Sequence, residues 1–247
     1  VPRNIRCSKK CANPVLPACA MGRPPAAPFR TMNPKRLILV GGTFSALVIA
    51  AALVFASAGG GGSGASLPGG VPVQGATLGS ASAPVLIEEF ADFQCPFCGR
   101  FTRETEPQLV ENYVKPGKAR LAFKHLAFIG QESVWAAQAA ECAGAQGRFW
   151  PYHDKLFANQ AGENLGAYSK DKLKGFAGEV GLEPSAFDRC LDSDETLAKV
   201  RADTAEADRR GVKSTPTFFL NSTQTIQGAL PYDAFKQALD KLAPAPR

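Results

Sequence analysis

Apolar positions change period several times along this chain, and each change marks an element. Residues 37–58 are uncharged throughout, and Leu37 to Phe55 alone gives nineteen residues, long enough to span a bilayer. Val71 to Leu78 reads as a short edge strand, and Pro84 to Phe93, with Val85-Leu86-Ile87 at its head, as a buried strand. Pro96 to Tyr113 follows with helical spacing, then Ala119 to Phe123 as a second strand. Helical patterns fill the next stretch: Glu132 to Gly144, Phe149 to Ala158, Lys170 to Val180, Pro184 to Leu191 and Ser193 to Arg210. Thr215 to Leu220 and Thr223 to Gln227 read as a hairpin turning at Asn221-Ser222-Thr223, and Tyr232 to Leu242 as a closing amphipathic helix. Strand, helix, strand, helical block, two strands, helix is an α/β order, suited to a small mixed sheet with helices on both faces.

Punctuation divides the chain further. Residues 1–36 show no hydrophobic periodicity and are expected to be a tail without fold, with Met32 as a plausible initiator ahead of Asn33-Pro34-Lys35-Arg36. Lys35 and Arg36 flank the apolar run on its N-terminal side only, which places everything after Ala58 outside the cytoplasm. The run reads as a single-pass anchor; the competing reading is a signal peptide cut at Ala56-Ser57-Ala58, which releases the domain. Residues 59–70 read as a glycine-rich linker, whose match to G-x-G-x-x-G (Gly59, Gly61, Gly64) lacks the strand–turn–helix setting that motif needs. The globular domain is expected over 71–242, with a helical insert at about 130–210 and a short tail at 243–247.

Charge alters this picture little. The net charge is +6, but residues 1–87 hold eight Lys or Arg and no acid, so 20 of the 28 basic residues face all 22 acidic ones from Glu88 onward. The expected domain is nearly neutral, which argues against a nucleic-acid-binding face. The seven cysteines matter more. Cys7, Cys11 and Cys19 lie in the tail, Cys142 and Cys190 stand alone in the helical block, and Cys95-Pro96-Phe97-Cys98 follows the buried strand. The two histidines, His125 and His153, lack ligand spacing, so the pattern does not call for a metal. His153 reads as a helix-surface residue, and Trp135, Phe149, Trp150, Tyr152 and Phe157 as core of the insert.

Cys95 falls at a helix N-cap with Pro96 at the first helical position, where a missing N–H costs nothing. Unpaired amides and the positive end of the helix dipole favour an anion there, so a thiolate at Cys95 has a lowered pKa. Glu88 and Glu89 point to opposite faces of the preceding strand, which leaves two readings: one of them is a buried acid, or both are solvated edge charges.

Four passages taken together resemble the DsbA-like branch of the thioredoxin superfamily: Phe90-Ala91-Asp92-Phe93-Gln94-Cys95-Pro96-Phe97-Cys98; Ala139-Ala140-Glu141-Cys142-Ala143; Phe149-Trp150-Pro151-Tyr152-His153-Asp154; and Gly211-Val212-Lys213-Ser214-Thr215-Pro216-Thr217-Phe218-Phe219. The resemblance implies a thioredoxin-like fold with a helical insertion. It makes Cys95 the exposed nucleophile, Cys98 the buried resolving thiol and Pro216 a cis-proline that leaves the backbone of Thr215 free to pair with substrate beside Pro96 and Phe97. It makes Glu89 a buried acid that relays the Cys98 proton, and pairs Cys142 with Cys190 in a structural disulfide. It implies cysteine-containing exported proteins as substrates, a quinone-linked membrane reoxidase of the DsbB or vitamin K epoxide reductase type, and no cofactor beyond the sulfur pair. The chain departs from the best-known oxidases of that branch in carrying Pro-Phe rather than Pro-His between its cysteines. A disulfide reductase on the same scaffold, or a tethered module that binds thiols without turnover, are the rival readings.

Overall fold

A computed structural model describes residues 70–242 and the backbone of 66–67. The apolar run at 37–58, the tails at 1–36 and 243–247, and Cys7, Cys11 and Cys19 lie outside the described residues. Among the described residues no helix is long and apolar enough to cross a membrane.

Among the described residues seven strands form one mixed sheet: β1 Ser66–Leu67, β2 Val71–Gln74, β3 Thr77–Leu78, β4 Val85–Ala91, β5 Ala119–His125, β6 Thr217–Leu220 and β7 Gln224–Gln227, in the order β1-β2-β3-β5-β4-β6-β7. β4 runs parallel to β5 and antiparallel to β6, with Glu89 registered between Phe123 and Phe218. The fold is thus thioredoxin-like α/β, and the helical insert sits between β5 and β6. Its helices are α3 Gln131–Ala145, α4 Phe149–Ala158, α5 Lys170–Glu179, α6 Pro184–Asp192 and α7 Leu197–Arg209; α8 Tyr232–Leu242 closes the chain.

Four sequence readings change. The stretch 71–78 is a hairpin, not one strand, because Gly75 takes φ +55° and turns β2 onto β3, pairing Gln74 with Thr77. β1 pairs with β2, so the linker expected over 59–70 ends in strand. The single helix expected over 96–113 is three pieces: α1 Pro96–Glu104, α2 Glu106–Leu109 and a π-helical turn Val110–Val114. Pro107 supplies the break, since it has no N–H and its ring collides with the carbonyl four residues back. Ser193, read as a helix start, instead ends α6 by donating its N–H to the carbonyl of Arg189, and α7 begins after Thr196.

β4 is buried on both faces, Glu88 and Glu89 included, although these two interrupt its apolar run. Its odd positions Val85, Ile87 and Ala91 join the main core with Phe101, Phe123, Phe218 and Phe235. Phe90 on the other face packs with Leu126, Ala207 and Val212, the last two at and beyond the end of α7. The rings of Phe101, Phe218 and Phe235 meet at 4.5–5.5 Å and fasten α1 and α8 to the sheet. Such pairs contribute about 0.5–1.5 kcal/mol each beyond their burial.

Candidate active site

α1 begins where the sequence pattern places it. Cys95 is the N-cap in extended backbone (φ −69°, ψ 121°) and Pro96 the first helical residue. Both cysteines are thiols, with Cys98 fully buried and Cys95 6% exposed. The order of exposure is the expected one; its extent at Cys95 is smaller, because Thr215 and Gln160 close over the motif. The Cys95 Sγ donates to the Thr215 carbonyl at 3.4 Å. The Thr215–Pro216 bond is cis, as the resemblance implies. Phe97 is 54% exposed with the Arg100 guanidinium 5.4 Å from its ring centre, so the second residue between the cysteines faces solvent.

The two sulfurs are electrostatically opposite. Cys95 is lowered to about 6, first by a hydrogen bond from the Cys98 thiol, against the cost of burial, then by the Thr215 hydroxyl and the amides of Cys98 and Phe97. Those amides are the free donors of the α1 terminus. Cys98 is pushed well above the ordinary thiol range, first by burial, then by its bond to Cys95 and the charges of Cys95 and Glu89. One thiol therefore ionises near neutrality and the other holds its proton.

Glu89 is fully buried on the face of β4 that carries α1, and neither carboxylate oxygen has a hydrogen-bond partner among the described residues. Burial, and then the charge at Cys95, raise it to about 8. Glu88 points the other way and pairs with Arg210 at 3.0 Å, so neither residue is a solvated edge charge.

Residues without an assigned role in the sequence reading hold the motif. Asp92 Oδ1 accepts from the Gln94 amide (2.8 Å) and the Ser133 hydroxyl (2.6 Å); its Oδ2 accepts from the amides of Phe128 (3.0 Å) and Ile129 (3.2 Å). Gln160 Nε2 donates to the carbonyls of Phe93 (2.7 Å) and Cys95 (2.9 Å), and the Tyr168 hydroxyl to Phe93 (3.1 Å). Gly99 makes room: a Cβ there would lie 2.0 Å from Gln160 Oε1. Only the Asp92–Gln94 turn carries a local signal, an Asp bonding two residues ahead; the rest needs the folded insert.

Cys142 and Cys190 join α3 to α6 in a disulfide, Cα–Cα 5.9 Å. Phe149, Trp150, Tyr152 and Phe157 are buried in the insert core, while Trp135 is half-buried beside a cavity of about 690 Å³. His153 corrects the surface reading: it is fully buried, ringed by Phe93, Phe123, Phe149, Trp150 and Phe157. α4 is the insert helix that meets Phe93 and Phe123 on one side and α3 and α5 on others, and so buries more than one stripe. His125 meets Glu141 at 2.9 Å, and His125, Glu141 and Asp203 gather within 4.8 Å. Lys199 reaches Glu141 and Asp203, and Lys124 reaches Asp203, so ammonium groups already neutralise these carboxylates.

The chain is similar to known proteins across this unit. The family model described as Thioredoxin matches residues 72–241. A probable disulfide bond formation protein D of Bacillus cereus is 30% identical over 169 residues, which span 67% of this chain and 77% of that one. Oxidised BdbD from Bacillus subtilis superposes with a TM-score of 0.64 at 26% identity, covering 68% of this chain and 92% of that chain. DsbA2 of Pseudomonas aeruginosa gives a TM-score of 0.56 at 28% identity, over 70% and 97% of the two chains.

Proposed function

We propose, from the premise that this chain belongs to the thioredoxin family and is a DsbA-like thiol:disulfide oxidoreductase, that Cys95 and Cys98 are its redox pair and form disulfides in exported proteins. The observation that carries this is the inequality of the two thiols, about 6 at Cys95 and far higher at Cys98. In the oxidised form a substrate thiolate attacks Cys95 Sγ. The Cys95–Cys98 bond breaks, its electron pair goes to Cys98 Sγ, and Glu89 supplies the proton that makes Cys98 a thiol. A second substrate thiolate then attacks the substrate sulfur of the mixed disulfide, and Cys95 leaves as a stabilised thiolate. The substrate loses two electrons and the pair gains them.

Phe97 and Pro96 present an exposed surface to the substrate, and Thr215 and Pro216 flank the sulfur it attacks. The Cys142–Cys190 disulfide suits an oxidising compartment, so the catalytic domain works outside the cytoplasm. Residues 37–58 anchor it, and a membrane reoxidase of the DsbB or vitamin K epoxide reductase type restores the Cys95–Cys98 disulfide.

Cys98→Ser tests the reading. It is expected to accumulate mixed disulfides through Cys95 that appear on non-reducing gels and vanish with reductant. A variant that traps nothing, while function persists, would favour the non-catalytic thiol-binding module. The reduction potential separates the two directions: a value near that of DsbA supports the oxidase, a value near that of thioredoxin the reductase.

A further inference from the structure

The first turn of α1 begins without a cap of its own. The N-cap residue is Cys95, and its side chain makes no capping bond, because a neutral thiol is a weak acceptor. Pro96 brings no N–H. Only the ionised sulfur draws on the amides of Phe97 and Cys98. Those amides must therefore be aimed by something other than the cap side chain.

The Cys95 carbonyl opens the helical ladder by accepting from the Gly99 amide at 3.2 Å, the long end of the usual range. Its shorter bond comes from outside the helix, from Gln160 Nε2 at 2.9 Å. The same nitrogen donates to the Phe93 carbonyl at 2.7 Å. A carboxamide nitrogen carries two hydrogens, and Gln160 commits both, so one side chain fixes the peptide planes on either side of Gln94 and Cys95. Phe93 keeps a second donor in the Tyr168 hydroxyl. Cys95 has only the long bond from Gly99 in reserve. Gln94 is held separately, by Asp92 at its amide and by Ser133 and Asn164 at its side chain.

Gln160 is itself anchored on both sides. Before it, Asn159 Nδ2 returns to the Lys155 carbonyl at 2.7 Å at the end of α4; after it, the Asn164 amide donates to Gln94 Oε1 at 2.6 Å. On α1 its carboxamide rests against Gly99. A Cβ at Gly99 would overlap Gln160 Oε1 and Cδ, with Arg103 Nη1 crowding the same point at 2.9 Å. Glycine is a poor choice inside a helix, and Gly99 is not among the residues with positive φ. Space for the Gln160 carboxamide is what this glycine supplies.

We propose that Gln160 is a positioning residue of the redox pair, seated on Gly99: it holds Cys95 in N-cap geometry from outside the helix and so stabilises the Cys95 thiolate over the neutral and disulfide forms. This rests on the redox role of Cys95 and Cys98 proposed above. Gln160 makes no hydrogen bond to either sulfur among the described residues; it acts through the Cys95 backbone, which keeps the amides of Phe97 and Cys98 on the sulfur. A donor on the Cys95 carbonyl also reduces the negative charge that faces the thiolate from its own residue. The effect falls on the step in which Cys95 departs from the mixed disulfide as a thiolate. Favouring that thiolate favours the reduced pair, which makes the disulfide the stronger oxidant.

The test uses the full-length protein and the variants Gln160→Ala, Gln160→Glu, Gly99→Ala and the double variant Gly99→Ala/Gln160→Ala. Two hydrogen bonds are removed in Gln160→Ala, and a loss of about tenfold in thiolate stabilisation is expected. The midpoint of iodoacetamide alkylation, read on the Cys95 peptide by mass, should rise by about one pH unit, and the reduction potential should fall by about 30 mV. Gln160→Glu cannot donate and adds a negative charge, so it should move both readings further. Gly99→Ala displaces Gln160 without removing it; it should match Gln160→Ala in both readings although alanine favours the helix. The double variant should equal either single one, as residues that share one contact do. An unchanged midpoint and potential in Gln160→Ala and Gln160→Glu would overturn the proposal, whatever happens to their melting temperatures. Effects of Gly99→Ala and Gln160→Ala that simply add would overturn it too. If the wild-type protein fails to exchange disulfides with a reduced two-cysteine peptide, the redox reading falls first and this role with it.

Discussion

Removing the Cys98 thiol should disarm Cys95 by a measurable amount. The hydrogen bond from Cys98 is the leading reason that Cys95 sits at about 6 rather than 9.0. At pH 7 that difference means about 90% thiolate rather than about 1%. A hydrogen bond to a charged group is worth about 1.5–3 kcal/mol, and about 1.4 kcal/mol moves a pKa by one. Cys98→Ala should therefore bring Cys95 to between about 7 and 8, leaving about 10–50% thiolate at pH 7. Cys98→Ser keeps a hydroxyl donor at the same place and should remain nearer the wild-type value. The assay is the pH dependence of iodoacetamide alkylation in the reduced protein, cross-checked by thiolate ultraviolet absorbance. A Cys98→Ala midpoint still at about 6 would refute the reasoning and assign the activation to the helix amides and Thr215 alone. Equal displacement in both variants would show that packing, not donation, had been lost.

Glu89→Gln should make the reduced protein less sensitive to pH. Glu89 holds its proton in the native state up to about 8, against about 4.5 when unfolded, so its share of stability is complete below pH 4.5 and disappears as pH rises through 8, by at most about 1.4 kcal/mol per pH unit. Urea denaturation should show the variant gaining on wild type between pH 5 and pH 7; a constant difference would contradict this. Cys142→Ala should destabilise the fold by about 4 kcal/mol in the chain-entropy model, given a separation of 48 residues, while leaving thiol exchange intact at low temperature; separate Cys142 and Cys190 peptides in a non-reducing digest of the wild type would remove the basis. Phe97→His brings a hydrogen-bond donor and partial positive charge to the Cys95 thiolate and should make the pair more oxidising, about 30 mV for each tenfold gain in thiolate stabilisation; an unchanged or lower potential counts against it.

The sequence carried the parts of the site that depend on local pattern. Cys95 at an N-cap before Pro96 needs only the strand-to-helix change of period, and the hairpin at Asn221–Ser222 shows its turn through two residues that both take positive φ. α4 and α8 run over the expected bounds because their apolar spacing is uninterrupted. Pro107 was a local warning that the first helix would break, and apolar spacing alone could not register it. His153 was illegible for another reason: its burial depends on Phe93 and Phe123 from the sheet arriving against α4. The same holds for Gln160, whose partners at Phe93 and Cys95 are separated from it by 67 and 65 residues. Contacts of that range leave no periodic trace.

The clasp made by Asp92, Gln160 and Tyr168 gives the insert a say in when the reactive segment can melt. Each bond crosses from the sheet's catalytic loop to a segment beyond β5, so neither side can open while the other stays closed. The two should behave as one cooperative unit in native-state hydrogen exchange, with the amides of Gln94 and Phe128 losing protection at a common free energy. A protease cut within the insert would then loosen the cysteine pair long before it reached the strands that frame it.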